Sequence, residues 1–169
     1  MDIVKLETGK KGYRDRNALK VLIAYATCPE KTKGYIGAIG TNPDDPAKML
    51  EQMQFVKKAY GKNDRNYRQL RHIIISPDPK WGITADVAYR MAYDIAKFYG
   101  NRYQICFGVH SDRDHVHIHL IQNTVSYIDG KLFSGAWVEL NEFKMHVKQV
   151  VYRYLPQIQT TMEEFEFME

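Results

Sequence analysis

Apolar side chains recur along this chain with two different spacings, and the stretches that carry them alternate, which is the pattern of a sheet with helices packed against it. A short strand is predicted over Ile3 to Leu6. A helix follows from about Asn17 to Ala26, with Leu19, Leu22 and Ile23 on one face, and Pro29 stops it. Tyr35 to Ile39 reads as a second strand. The run Asn42 to Pro46 is a turn into a helix, with Asp45 as N-cap and Pro46 at the first helical position; Met49, Met53, Val56 and Tyr60 then recur at helical spacing. Arg71 to Ser76, with three isoleucines in series, is a buried strand. Thr84 caps the next helix, whose stripe of Val87, Met91, Ile95 and Phe98 ends near Gly100. Two apolar stretches, Tyr103 to Val109 and Val116 to Tyr127, enclose the polar Ser111 to Asp114 and read as a hairpin. Asp129-Gly130 marks another tight turn, and a last helix from Val138 to Leu155 ends before Pro156. The expectation is an α/β (α+β) fold: a central, mainly antiparallel sheet of about five strands with helices on its faces.

With 169 residues, 44% of them hydrophobic, the chain is the size of one domain with a real core, placed here at residues 1–160 and followed by an acidic tail, 161–169. The net charge of +4 conceals an asymmetry, because Glu163 to Glu169 carry four carboxylates and no base, so the body alone stands near +8. Such a surplus suits a polyanionic partner, since Lys and Arg displace counterions from phosphates. Cys28 and Cys106 lie far apart with no secretory signal before them and read as reduced, buried thiols of a cytoplasmic protein. No apolar run approaches the roughly 20 residues that span a bilayer, so membrane insertion is not expected.

Chemistry concentrates in one place. Four of the six histidines fall within the run from His110 to His119. Alternate side chains of a strand share a face, so His115, His117 and His119 point the same way, and a turn around Arg113 and Asp114 puts His110 across from His117. Three imidazoles that converge on one point are what a metal site requires. Asp112 fits there as a ligand, as an acceptor that holds an imidazole nitrogen, or as a turn residue. A three-histidine metal with vacant positions can activate water, or it can polarise a phosphate oxygen while another group attacks.

These residues resemble the signature of mobilisation relaxases in the HUH (His-hydrophobic-His) endonuclease superfamily: His110, an acidic Asp112 two positions on, the pair His117-Ile118-His119, and Asn123 closing the strand. Tyr25, followed by Pro29-Glu30-Lys31-Thr32, is similar to the family's N-terminal nucleophile motif, and the order, tyrosine before histidines, is that of relaxases. The resemblance covers about residues 2–155 and implies the palm-like fold of that superfamily. It implies His110, His117 and His119 as ligands of one divalent metal ion, Mn²⁺ or Mg²⁺ in use, with zinc, cobalt or nickel also compatible with imidazole donors. It implies Tyr25 as nucleophile, with Tyr35 and Tyr13 as alternatives, leaving a 5′-phosphotyrosine on the protein and a free 3′-hydroxyl on the DNA. A phenolate is a better leaving group than a sugar alkoxide, so the step can reverse and rejoin the strand. His72 is a candidate for taking the phenolic proton. His115, where proline often stands, is placed in the DNA groove, with a substitute metal ligand as the alternative.

Basic residues with interleaved tyrosines suit single-stranded DNA. The candidates are Arg14 and Arg16, then Lys57, Lys58, Arg65 and Arg68, with Lys31, Thr32, His115 and Asn123 nearer the chemistry. The partners the resemblance implies are origin-of-transfer DNA, auxiliary relaxosome proteins and a coupling protein. Two other readings stay open: a mononuclear metal hydrolase or oxygenase with His110, Asp112 and one of the paired histidines as facial triad, and a non-catalytic DNA-binding module with a structural metal.

Overall fold

The structure, a computed structural model, describes residues 3–64 and 66–166. Five strands lie in one sheet among these residues: β1 (Val4–Glu7), β2 (Ile36–Ile39), β3 (Leu70–Ile75), β4 (Ile105–His110) and β5 (His117–Asn123). Their order is β1-β3-β5-β4-β2, and every neighbouring pair is antiparallel. The helices are α1 (Ala18–Ala26), the single turn α2 (Pro29–Thr32), α3 (Pro46–Ala59), α4 (Ala85–Gly100) and α5 (Trp137–Glu166). The expected sheet with helices on both faces is therefore what the chain forms.

Strand register sorts the side chains between two cores. Ile73, Ile75, Phe107, Val109, Ile118 and Leu120 point to the face covered by α4 and α5, where Met91, Ile95, Phe143 and Val147 meet them. Leu70, Cys106 and Ile121 point to the other face and pack under α1 and α3 with Leu19, Ile23, Met49 and Met53. Helix starts follow local chemistry. Asp45 accepts hydrogen bonds from the amides of Ala47 and Lys48 and Thr84 from that of Val87, so orphan N–H groups of α3 and α4 are satisfied.

Three elements differ from expectation. Pro29 does more than end α1: it opens α2, because proline's fixed φ suits a first helical position. The strand predicted to reach Tyr127 ends at Asn123, and Val125 makes only an isolated bridge to Leu132. Finally, α5 runs through Pro156 to Glu166, so no element boundary falls at residue 160. A proline inside a helix forfeits one backbone bond and disfavours continuation without forbidding it. Arg65 and residues 167–169 of the acidic tail lie outside the described residues.

Candidate active site

The hairpin between β4 and β5 pairs His110 with His117 and Gly108 with His119, and β3 pairs Ile74 with His119. Side chains of His72, His110, His117 and His119 therefore project from one face of the sheet, toward α1. Tyr25 is the penultimate residue of α1 and hangs over them, 42% exposed, with its ring centroid 5.2 Å from that of His110 and 5.3 Å from that of His119. A pocket of about 240 Å³ is lined by Tyr25, Lys31, His110, His117 and His119, with Lys5 at its rim. A larger groove of about 470 Å³ beside Phe55 and Gln104 lies elsewhere and holds none of these groups.

What lets α1 come so close is Gly108. A Cβ built there would lie 1.8 Å from the carbonyl oxygen of Ala26, so the end of the helix rests directly on the strand backbone. That carbonyl belongs to the last turn, which has no helical donor to satisfy it. His110 Nε2 lies 3.0 Å from it and donates, leaving Nδ1 with the free lone pair. The loop end is fixed as well: Ser111 N–H donates to the Lys31 carbonyl, and Lys31 Nζ reaches Asp112 Oδ2 at 3.1 Å while standing 5.8 Å from the Tyr25 ring centroid.

Burial keeps the imidazoles uncharged. It pushes His119 down to about 2 and His72 to about 4, and lowers His110 and His117; neighbouring imidazoles oppose the charge further at His119, His72 and His117, and the Lys31 ammonium does so at His110. Three neutral imidazoles on one wall form a donor set of the kind that holds divalent ions. Their arrangement differs from the expected convergence on one point. The His110 and His119 rings stack with centroids 4.0 Å apart, His117 and His119 are 6.4 Å apart, and among the described residues no three such side chains form a coordination shell.

Other candidates occupy places the sequence did not indicate. His72 lies with Nε2 3.0 Å from Nδ1 of His119 and Nδ1 3.4 Å from the Tyr13 hydroxyl; its ring is 6.4 Å from that of Tyr25, so it is partnered away from the phenol. Tyr35 packs on Tyr89 against the opposite core, and neither it nor Tyr13 opens onto the pocket. The Asp112 carboxylate faces Lys31, whose ammonium holds it below the usual carboxylate range, and makes no hydrogen bond to an imidazole among the described residues. His115 precedes β5 and lies tilted against His117, ring centroids 4.3 Å apart, outside the pocket lining.

Three residues expected at DNA are interior. Thr32 is wholly buried and its hydroxyl donates to the Cys28 carbonyl; Asn123 is wholly buried and its amide donates to Met53 O and Gln104 Oε1; Lys57 is 1% exposed and its ammonium donates to Thr124 Oγ1. Their polar groups are answered by protein atoms, which is how buried polar groups are tolerated. Arg14, Arg16, Lys58 and Arg68 are exposed.

A helix-borne tyrosine over a histidine-lined pocket on an antiparallel hairpin defines a class, and the sequence falls in it: the chain belongs to the MobA/VirD2-like relaxase family, whose nuclease-domain profile matches residues 25–154. Nucleases of this family generally need a divalent metal ion. The chain is similar to Protein rlx of Staphylococcus aureus, with 25% identity over 88 residues, 52% of this chain and 26% of that protein. It thus spans about a quarter of the length of that relative. No helix among the described residues is long and apolar enough to cross a membrane.

Proposed function

We propose that the chain is a site- and strand-specific DNA-nicking transesterase, acting in the cytoplasm on single-stranded origin-of-transfer DNA to begin transfer of a plasmid or integrative element. The observation that carries this reading is Tyr25, exposed at the end of α1 and within ring contact of two uncharged histidines. Its Oη forms a bond to the scissile phosphorus, the P–O3′ bond breaks, the phenolic proton leaves to solvent and the departing O3′ takes one up. Tyr25 then carries the 5′-phosphate of the strand.

His110, His117 and His119 would hold the metal, whose charge would offset that of the phosphate oxygens during transfer. For His119 to offer Nε2, its Nδ1–H must donate to His72 Nε2, and His72 must in turn donate Nδ1–H to the Tyr13 hydroxyl. We therefore assign His72 to positioning His119 and not to proton removal. Lys31 stands beside Tyr25, where its ammonium can attract the approaching phosphate, and Asp112 holds Lys31 in place. Arg14, Arg16, Lys58 and Arg68 supply surface cations along the path of the strand. Relaxosome proteins and a coupling protein are the partners such an enzyme works with. A facial triad is less well supported, because it needs the Asp112 carboxylate beside His110 and that carboxylate is engaged by Lys31.

The test is incubation with labelled single-stranded origin DNA and Mn²⁺, Mg²⁺ or EDTA, followed by a denaturing gel. A metal-dependent protein–DNA band that disappears in Tyr25→Phe is expected. Nicked DNA with no adduct would favour a hydrolase, and binding without nicking would favour a DNA-binding module.

A further inference from the structure

At the opposite end of the sheet, the start of β3, the turn before it and the segment after β5 enclose a pocket of about 300 Å³ lined by Arg14, Tyr67, Arg68, Arg71 and Phe133, among others. Arg71 is 7% exposed, and among the described residues no carboxylate forms an ion pair with it. Its guanidinium lies 4.5 Å from the Phe133 ring centroid and 5.1 Å from that of Tyr99, and Nη1 donates to Gln122 Oε1 at 3.5 Å. Beside it, Gln122 Nε2 is buried with no hydrogen-bond partner. A buried cation without a counter-charge, beside an unanswered side-chain amide, is costly unless something else completes it.

The lining indicates what that is. Arg14 and Arg68 stand exposed at the mouth, and Tyr67 and Phe133 are half-buried aromatic faces. Guanidinium forks match phosphate oxygens and the paired acceptors of a base edge, and aromatic faces stack on bases. We propose that this pocket holds one nucleotide of single-stranded DNA, its base against Tyr67 and Phe133 with acceptor atoms toward Arg71 and Gln122, and its phosphate at Arg14 and Arg68. That the nucleotide belongs to the strand being nicked rests on the relaxase reading; that the pocket takes a nucleotide does not. From His117 to Thr124 is roughly 23 Å along an extended chain, so several nucleotides separate this one from the phosphate at Tyr25.

The probes are dGMP and inorganic phosphate, titrated into labelled protein while the Gln122 side-chain amide and the Gly135 backbone amide are followed by NMR. Saturable shifts with dGMP, at least tenfold tighter than with phosphate and lost in Arg71→Met, are expected. With a fluorescent 12-nucleotide single strand, Arg71→Met weakens binding about five- to a hundredfold, the effect of losing one forked contact to a base edge. Arg68→Ala, a change at an exposed position, weakens it severalfold and serves should Arg71→Met melt early. Phosphate binding as tightly as dGMP, or wild-type affinity in folded Arg71→Met and in Arg68→Ala, overturns the proposal. Adduct formation without nucleotide shifts would remove the pocket and spare the relaxase reading; nucleotide shifts without an adduct would support the pocket and count against that reading.

Discussion

Tyr25 sits one residue before the end of its helix, which is why a bulky aromatic can be both anchored and 42% exposed over the histidines. The chain His119, His72, Tyr13 makes its own prediction: His72→Phe raises the Mn²⁺ concentration needed for half-maximal adduct formation about 10- to 100-fold, as loss of a ligand's hydrogen-bond partner does. Tyr13→Phe does so less, and both regain the adduct at saturating metal; a His72→Phe protein with unchanged metal dependence would remove the positioning role. Lys57 carries a different prediction. Burial lowers its ammonium from 10.5 to about 7. Below pH 7 folded and unfolded chains both hold the proton and the burial penalty stands in full. Between about 7 and 10.5 only the unfolded chain holds it, so stability rises with pH, by about 1.4 kcal/mol per pH unit. Denaturant unfolding at pH 7 and 9 should show that slope in the wild type relative to Lys57→Met, which should be the more stable of the two at pH 7. Equal slopes would mean Lys57 keeps its proton in the folded protein.

At the scale of elements, the hairpin was legible because two signals agreed: period-two alternation and histidines spaced so that a turn at Arg113 and Asp114 sets His110 opposite His117. Helix caps were legible from Asp45 and Thr84, whose short side chains serve that purpose locally. The burial of Lys57 was also written in the sequence, since Met49, Met53 and Lys57 continue one helical stripe, but a charged residue on an apolar stripe reads first as a surface group. Thr32 and Asn123 were placed at DNA by their positions in the motif segments, and both are buried. Gly108 could not be recognised in advance, because its role depends on how closely α1 crosses β4, a tertiary fact with no local signature. Gly108→Ala should push α1 off the strand and lower the adduct rate by at least tenfold while the far-ultraviolet spectrum stays native; an unchanged rate would show that the close approach is dispensable. Asp45→Ala, remote from the pocket, should cost about 1 kcal/mol of stability through the lost cap and leave the adduct rate unchanged at temperatures where the protein is folded.

For the whole molecule, a body near +8 with exposed Arg14, Arg16, Lys58 and Arg68 makes electrostatics the long-range contribution to DNA capture, and affinity for a single strand should fall linearly in log–log form with salt. Arg16→Ala and Lys58→Ala should each reduce that slope by about 0.7, the share of one phosphate contact on a single strand. In the proposed reaction Tyr25 becomes covalently joined to the DNA. Its most direct test is mass spectrometry of the proteolysed reaction mixture with origin DNA and Mn²⁺. A nucleotide linked through its 5′-phosphate to the peptide bearing Tyr25 is expected, with the other DNA product ending in a free 3′-hydroxyl; a nicked strand with its 5′-phosphate free, or an adduct on any other residue, would rule out Tyr25 as the nucleophile.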